Sequence, residues 1–211
     1  MSVEEMYSHV SSRYEDIVSA TKYLGPEYLQ KKLVNSKLRP KEIVDLGCAT
    51  GLLGEILIKK YPDTRLVGYD ISPAMIELAE KKNIYDQLIV QDLNFSLSAI
   101  QLETVDLMVG FGFSEFLEQP IKLLQNLSEL LSLEGRVFLS FQEYWPDNAT
   151  LAPRTTHSGK VTHHAYSKSE VLEMFLKAGF SVNKIESVVG YVSNSGFKCP
   201  YLFVDAGLVR K

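Results

Sequence analysis

The sequence has 211 residues, a hydrophobic content of 45%, a charged content of 23% and a formal net charge of −4. These values are ordinary for a globular chain with one full core, and the acidic balance argues against binding of free nucleic acid or anionic membranes. Two cysteines, Cys48 and Cys199, are too few for a disulfide framework. The sequence shows no secretion signal and no apolar run of the ~20 residues that span a bilayer. We therefore expect a cytoplasmic protein without a membrane segment.

The first 40 residues are predicted to form helices that precede the sheet. One amphipathic helix is indicated by side chains that recur at three- and four-residue steps: Tyr7, Val10, Tyr14, Ile17 and Val18. Pro26 follows a break at Gly25 and is typical of the first turn of a second helix.

From Ile43 onward, the pattern alternates between strands and helices. Strands are predicted at 43–46, 65–69, 88–90, 105–109, 136–141, 180–191 and 201–205. Helices are predicted up to about Lys60, from the Ser72-Pro73 start, over 121–131 before a turn at Gly135, and from the capping box at 167–170. This alternation predicts an α/β fold, in which helices cover both faces of a mostly parallel sheet.

Residues 143–166 form a long polar connection between the fifth strand and the last helix. It carries three histidines, His157, His163 and His164, together with Trp145. A connection of this length in a compact domain is usually functional or mobile. We expect an irregular, variable cap over the strand ends, in which surface histidines are the simpler interpretation and general bases the alternative.

A glycine-rich turn with Gly47, Gly51 and Gly54 follows the first strand, and a helix follows the turn. This unit opens an α/β sheet whose ligand lies at the carboxyl ends of the strands. Asp70 and Asp92 end the second and third strands at the same edge. Asp70 can accept both hydroxyls of a ribose, and Asp92 can bond an adenine edge.

The charge of the first strand end discriminates between nucleoside ligands. Asp45 lies two residues before Gly47, and the glycines fit the G-x-G-x-x-G pattern of dinucleotide sites only loosely. A fixed carboxylate repels a phosphate and attracts an ammonium or sulfonium group. The residues therefore favour a cationic ligand that contains adenosine.

Four stretches in order resemble the motifs of class I S-adenosylmethionine-dependent methyltransferases: 45–51, 66–75, 91–93 and 105–110. The first, Asp-Leu-Gly-Cys-Ala-Thr-Gly, is similar to the family pattern Asp/Glu-x-Gly-x-Gly-x-Gly. The resemblance covers about residues 42–142 and, more weakly, 167–180. It implies a Rossmann-like sheet of seven strands with the last one antiparallel. It also implies S-adenosyl-L-methionine as cofactor and S-adenosyl-L-homocysteine as product.

The resemblance implies roles for residues of the first and fourth motifs. Gly47 and Gly51 let the backbone approach the methionine and ribose parts of the cofactor, and Asp45 holds its amino end. Gly110 leaves room beside the methyl donor. The family usually has glycine where this chain has Ala49, so we expect weaker rather than abolished cofactor binding if this position requires a positive φ.

The remaining implied contacts come from the other motifs and from the N-terminal region. Asp70 accepts the ribose diol, Ile71 packs on the adenine face, and Asp92 with Leu93 binds the adenine. Tyr14 closes over the methyl donor, because the N-terminal segment is weakly similar to the tyrosine-bearing lid of small-molecule methyltransferases, including the Williams–Beuren-region methyltransferase-like group.

The acceptor is less constrained than the cofactor. The fourth motif continues as Gly-Phe-Gly-Phe, without the Asn/Asp-Pro-Pro-Tyr signature of enzymes that methylate nucleic-acid bases. Phe111 and Phe113 favour an apolar-walled acceptor pocket. Glu115, Glu143 and Tyr144 are expected near the same rim, but no residue is assigned as catalytic and no metal site is predicted.

The sequence predicts one methyltransferase domain with a small-molecule acceptor, as a monomer or homodimer. We expect an N-terminal helical lid over 1–40, a cofactor-binding core over 41–142, the cap over 143–166, and a closing helix and strands over 167–211. Two alternatives stay open. One is a non-catalytic module that binds S-adenosylmethionine and acts through a partner, and the other is a nicotinamide-dependent oxidoreductase.

Overall fold

The structure is a computed structural model that describes residues 1–95, 97, 104–144, 155–158, 161–192 and 198–209. For residues 156–158 it describes the backbone alone. Trp145 and the side chain of His157 therefore lie outside the described residues. No helix within these ranges is long and apolar enough to cross a membrane.

A seven-stranded sheet forms the centre of the molecule. The described residues contain nine strands: β1 (Glu42–Leu46), β2 (Arg65–Asp70), β3 (Gln87–Val90), β4 (Val105–Gly110), β5 (Leu131–Gln142), β6 (Thr155–Ser158), β7 (Val161–His164), β8 (Phe180–Val192) and β9 (Lys198–Leu208). Seven of them form the central sheet in the order β3-β2-β1-β4-β5-β9-β8, in which β9 alone runs opposite to the other strands, while β6 and β7 form a separate pair. The predicted mostly parallel, seven-stranded Rossmann-like sheet with an antiparallel last strand is confirmed.

Seven α-helices within the described ranges surround this sheet. They are α1 (Val3–Val10), α2 (Tyr14–Thr21), α3 (Gly25–Val34), α4 (Leu52–Lys60), α5 (Pro73–Glu80), α6 (Pro120–Leu130) and α7 (Lys168–Lys177). The predicted caps are present: Ser72 accepts from the Met75 amide, and Ser167 forms a capping box with Glu170. These side chains satisfy amides that a helix start leaves without intrahelical partners.

Alternating side chains of β1 build the core on both faces of the sheet. Val44 and Leu46 pack in a buried cluster with residues of α6 and α7. Ile43 packs in a second buried cluster with residues of α3 and α4. A strand buried on both faces is typical of a parallel sheet, and the predicted cover of helices on both faces is confirmed. This packing holds the carboxyl ends of β1, β2 and β4 at one edge.

Two boundaries differ from the sequence prediction. The expected single helix through Val18 is divided into α1 and α2 by a 3₁₀ turn at Ser11–Arg13. The predicted turn at Gly135 is wrong, because β5 begins at Leu131 directly after α6. Leu131 is buried and pairs with Val105, and the register shifts before Leu107 pairs with Arg136. The apolar Leu131 thus extends the strand pairing through an irregular segment.

The cap contains regular structure that the sequence analysis missed. β6 and β7 form an antiparallel hairpin, with Thr155 opposite His164 and Ser158 opposite Val161. The Tyr166 backbone joins the hairpin to the main sheet, since its amide donates to the Gln142 carbonyl. The expectation of an irregular cap is therefore wrong for this part of it. These segments are polar and lack the apolar alternation that predicts a strand, although threonine and valine are common in strands.

Candidate functional site

A cleft of about 530 Å³ opens at the carboxyl edge of the sheet. Its wall is built from the segments that follow β1, β2, β3 and β4, together with α1, the start of α2 and strand β7. Six of the nine predicted cofactor residues line it: Tyr14, Gly47, Asp70, Ile71, Asp92 and Leu93. Asp45, Gly51 and Gly110 do not line it. The volume is in the range of small-molecule and cofactor sites.

The turn after β1 is held in a left-handed conformation. Gly47, Ala49 and Gly51 have φ values of +66°, +47° and +89°. Glycine adopts such values without a steric cost, whereas alanine in this region costs about 1–2 kcal/mol. Ala49 therefore occupies a position that favours glycine. Its amide compensates in part by donating to Asp70 Oδ2 at 2.9 Å.

Asp70 connects the first two strand ends at the cleft. Its Oδ1 accepts from the Ser72 amide at 2.9 Å, while its Oδ2 accepts from Ala49. Burial raises the pKa of this carboxyl, and the amide hydrogen bonds oppose that rise. A carboxylate has about four acceptor positions, so two amides leave acceptor capacity for a ligand in the cleft.

Asp92 is organised in a different way at the end of β3. Its Oδ1 accepts from the Asn94 backbone amide at 2.9 Å and from the Asn94 side chain at 3.0 Å. Leu93 is buried between them, and all three residues line the cleft. This local turn fixes a carboxylate and an apolar side chain beside each other.

Asp45 lies beneath the glycine turn and not on the cleft surface. It is 0% exposed, and the Tyr85 hydroxyl donates to its Oδ2 at 2.7 Å. Burial raises the pKa of Asp45 to about 7, against the opposing effect of the Tyr85 hydrogen bond. The other oxygen, Oδ1, has no hydrogen-bond partner among the described residues.

The Tyr85 ring fills the space that the glycines leave. A Cβ at Gly54 would lie 2.6 Å from Tyr85 Cζ, and one at Gly68 would lie 2.9 Å from Tyr85 Cε1. At Gly51 the corresponding distance to Tyr85 Cε2 is 3.1 Å. The sequence analysis missed Tyr85. Closely spaced glycines indicate that some group approaches the backbone, but they do not identify that group.

Gly110 is enclosed by neighbours of the cleft wall. A Cβ there would lie 2.5 Å from Phe113 Cε1 and 2.9 Å from the Leu46 carbonyl oxygen. Gly110 therefore admits the Phe113 ring against the end of β1. Phe113 itself lines the cleft, so Gly110 shapes the site through that ring.

The N-terminal helices line part of the cleft and contact its rim. Tyr7 and Tyr14 line the cleft, and their ring centroids are 6.2 Å apart. The Ser8 hydroxyl lies 2.9 Å from the Ser72 hydroxyl. Glu15 accepts a hydrogen bond from the Thr50 hydroxyl at 2.8 Å and pairs with Lys82 at 2.9 Å.

The far side of the cleft is largely aromatic. Phe111, Phe113 and Phe116 line it, together with Thr162 and His164 of β7. His163 packs against Phe116 at a centroid distance of 4.7 Å, and burial lowers its pKa. The described residues contain no group of three or more side chains that could hold a metal ion.

The acidic residues predicted near this rim are separated by the structure. Glu115 is buried next to the cleft wall, where its Oε1 accepts from the Tyr201 hydroxyl at 2.6 Å. Glu143 accepts a hydrogen bond from Ser187, and neither Glu143 nor Tyr144 lines the cleft.

The burial of Asp45 predicts a pH-dependent stability. Because its pKa is about 7 in the folded protein and about 3.8 for an ordinary aspartate, Asp45 favours folding most below pH 4. This contribution is lost as the pH rises towards and through 7. We expect Asp45→Asn to flatten the pH dependence of the unfolding free energy between pH 4 and 8, with a gain at pH 8. Urea unfolding across this range measures it, and an unchanged slope would contradict the buried, partly protonated state.

Comparisons with known proteins agree with this geometry. A family described as "Methyltransferase domain" matches residues 44–137. The malonyl-[acyl-carrier protein] O-methyltransferase 1 of Ilyobacter polytropus is 23% identical over 168 residues, which cover 75% of this chain and 60% of that protein. The corresponding enzyme of Hahella chejuensis is 29% identical over 140 residues, which cover 65% and 48%. The chain thus spans about half the length of these relatives.

Solved structures share the fold at low sequence identity. A chain from the complex of the Haloferax volcanii Trm112 methyltransferase activator with a methyltransferase has a TM-score of 0.78 at 16% identity, covering 99% of this chain and 98% of that one. Magnesium protoporphyrin IX methyltransferase from Synechocystis, with bound S-adenosylhomocysteine, has a TM-score of 0.71 at 15% identity, covering 98% of both chains. Residues 44–137 therefore match a methyltransferase domain, and the whole chain shares the fold of these solved methyltransferase structures.

Proposed function

We propose that this protein transfers a methyl group from S-adenosylmethionine to a small-molecule acceptor. The observation that carries the proposal is one cleft that gathers the left-handed turn after β1, Asp70 at the end of β2 and Asp92 after β3. No lysine or arginine of the described residues lines this cleft. A diphosphate would meet carboxylates without a cation, whereas a sulfonium nucleoside would be attracted to them.

The cofactor is proposed to lie along the strand ends. Asp70 accepts the ribose hydroxyls through the positions that its two amides leave unused. Asp92 and Leu93 bind the adenine, on which Ile71 packs. The backbone after Gly47 faces the methionine part.

Three predicted cofactor residues are proposed to act from behind the wall of the cleft. Asp45 contributes negative charge from below the turn, next to the cofactor's ammonium group. Gly51 permits the positive φ at the start of α4, and Gly110 admits Phe113 to the wall.

Methyl transfer would be an in-line displacement. The acceptor's lone pair forms a bond to the methyl carbon, the carbon–sulfur bond breaks, and the sulfonium becomes the neutral thioether of S-adenosylhomocysteine. Since the donor is already activated, the protein's main tasks are to align the acceptor and to exclude water. The aromatic side of the cleft and Tyr14 supply such an enclosure.

Residues 1–40 are proposed to act as a lid on a single domain. The Glu15 contacts to Thr50 and Lys82 attach α2 to the glycine turn and to the segment after α5. We expect Glu15→Ala to increase hydrogen exchange in residues 3–21 and to raise the dissociation rate of S-adenosylhomocysteine several-fold, because the lid opens more often.

A matched control is available for this lid prediction. Glu55→Ala removes the other carboxylate that Lys82 contacts, at 2.8 Å, without touching the lid. We expect it to leave exchange in residues 3–21 unchanged. Equal effects of the two substitutions would show that Lys82, and not the lid contact, is responsible.

The function is tested by ligand binding followed by turnover. Isothermal titration calorimetry should detect binding of S-adenosylhomocysteine and no binding of NAD. A nicotinamide-dependent oxidoreductase would show the reverse. Formation of S-adenosylhomocysteine across an acceptor library then separates an enzyme from a module that binds the cofactor and acts through a partner, which would bind but not turn over.

The partner-dependent alternative has one supporting observation, the similarity to a chain solved in complex with a methyltransferase activator. For the physiological setting, we propose a reducing cytoplasm, consistent with the two free cysteines. We also propose a monomer or homodimer, which light scattering would distinguish.

A further inference from the structure

We propose that the acceptor of this enzyme carries a cationic amine and that buried Glu115 supplies the negative charge that selects it. The inference rests on the proposed methyltransferase function and names the class of substrate. It follows from three features: the aromatic walls of the cleft, its charge, and a buried carboxylate with an unpartnered oxygen that lies behind the lining residues Phe113 and Phe116.

The first feature is a cluster of aromatic rings at one end of the cleft. Tyr7 contacts Tyr14 and Phe116 in edge-to-face geometry, at centroid distances of 6.2 and 5.8 Å. Phe111 and Phe113 continue the wall. Aromatic faces attract ammonium groups through their quadrupoles, more strongly where water is excluded. They offer no comparable attraction to a carboxylate.

The second feature is the charge of the cleft and of its outer extension. A neighbouring cavity of about 460 Å³ shares Glu118 and His164 with the cleft, so the two spaces adjoin. This outer cavity also contains Glu170, Glu173 and Lys177, and Lys177 is paired with Glu173. Among the described residues of this outer cavity, carboxylates outnumber lysines, and such a charge favours the approach of a cation.

The third feature is Glu115, which lies between cleft residues in the short helix Ser114–Phe116. It is 5% exposed, and its Oε2 has no hydrogen-bond partner among the described residues. Burial of a carboxylate with one unpartnered oxygen destabilises the fold unless a positive group or a hydrogen-bond donor interacts with that oxygen. A cationic acceptor held by the adjacent rings would provide that positive charge.

Among the described residues, the titratable groups that interact with Glu115 include no lysine, arginine or histidine. The titratable side chains that interact with it are Tyr7, Tyr14, Tyr23, Tyr191, Cys199 and Tyr201. Burial raises the pKa of Glu115, and the Tyr201 hydrogen bond opposes the rise. The Glu115 backbone amide opposes the rise as well, so we expect the selection of an amine to weaken as the pH falls.

The test compares a matched pair of probes, phenethylamine and 3-phenylpropionate, by calorimetry on protein saturated with S-adenosylhomocysteine. We expect the amine to bind at least about ten-fold more tightly than the carboxylate, and Glu115→Gln to remove most of that preference. Glu143→Gln makes the same change in charge outside the cleft, and this variant should retain the preference for the amine. The preliminary S-adenosylhomocysteine titration tests the methyltransferase function separately, and it also shows whether each variant is folded.

Tyr201→Phe provides a second variant in case Glu115→Gln does not fold. Loss of the Tyr201 hydroxyl should raise the pKa of Glu115. On acidification, the preference for the amine should therefore disappear at a higher pH than in the unmodified protein. The proposal is overturned if the carboxylate binds as tightly as the amine, if neither probe binds, or if Glu115→Gln keeps the preference. It is also overturned if S-adenosylhomocysteine displaces the amine, because the negative charge would then serve the cofactor's own ammonium group.

Discussion

Replacing Asp70 with alanine is expected to abolish S-adenosylhomocysteine binding, with a loss of about a hundred-fold or more in calorimetric affinity. The side chain is proposed to hold two ribose hydroxyls through charged hydrogen bonds, each of which contributes roughly 1.5–3 kcal/mol. Its removal also leaves the Ala49 and Ser72 amides without the acceptor that they have in the structure. The glycine turn should therefore lose its fixed position against β2 as well.

The Asp70 result needs a control that separates affinity from stability. Asp86 offers one, since it is exposed and its Oδ2 accepts from the Leu66 amide at 2.8 Å, at the other end of β2. Asp86→Ala should lower the melting temperature slightly and leave the affinity unchanged. Unchanged affinity in Asp70→Ala would refute the ribose role, and equal losses in both variants would indicate a general effect on the sheet.

Gly110→Ala is expected to produce the largest loss of stability among single-methyl changes at the site. The new Cβ would overlap Phe113 and the Leu46 carbonyl, which is backbone and cannot rotate away. Overpacking of this kind costs about 1–3 kcal/mol. For a chain of this length, the melting temperature should fall by roughly 2–12 °C. Because Phe113 must move, affinity for S-adenosylhomocysteine should fall too, and calorimetry measures both quantities.

Gly179→Ala separates steric overlap from backbone strain. Gly179 has a φ of +89°, and nothing lies within 4 Å of the position of its added Cβ. The substitution should cost about 1 kcal/mol through conformation alone and leave cofactor affinity unchanged. If it destabilised the protein as much as Gly110→Ala, the close packing at Gly110 would not be the cause.

Sequence patterns predicted the parts of the fold that depend on local physics. The strand, glycine turn and helix from Glu42, the Ser72 cap and the Ser167–Glu170 capping box depend on residues within a few positions of each other. The cleft was predictable for a related reason. The strand ends of a parallel sheet meet at one edge, so the proximity of Asp70 and Asp92 can be predicted without knowledge of any side-chain contact.

The features that sequence did not reveal depend on contacts between distant segments. Tyr85 reaches Asp45 across 40 positions, and Tyr201 reaches Glu115 across 86. The β6–β7 hairpin was missed because polar strands lack the apolar alternation that marks a half-buried strand. In each case the local sequence pattern either did not indicate the feature or indicated a different one. Tertiary packing determined the structure instead.

The Tyr85 ring has a consequence for attempts to redesign this scaffold. In a dinucleotide site the glycines let a pyrophosphate approach the backbone, whereas here Gly51, Gly54 and Gly68 make room for the Tyr85 ring, which does not line the cleft and donates a hydrogen bond to the buried Asp45. Swapping loop residues alone would therefore not convert the protein to NAD chemistry. A redesign would first have to replace Tyr85 with a smaller side chain and Asp45 with a neutral one. The protein would then lose part of its buried packing.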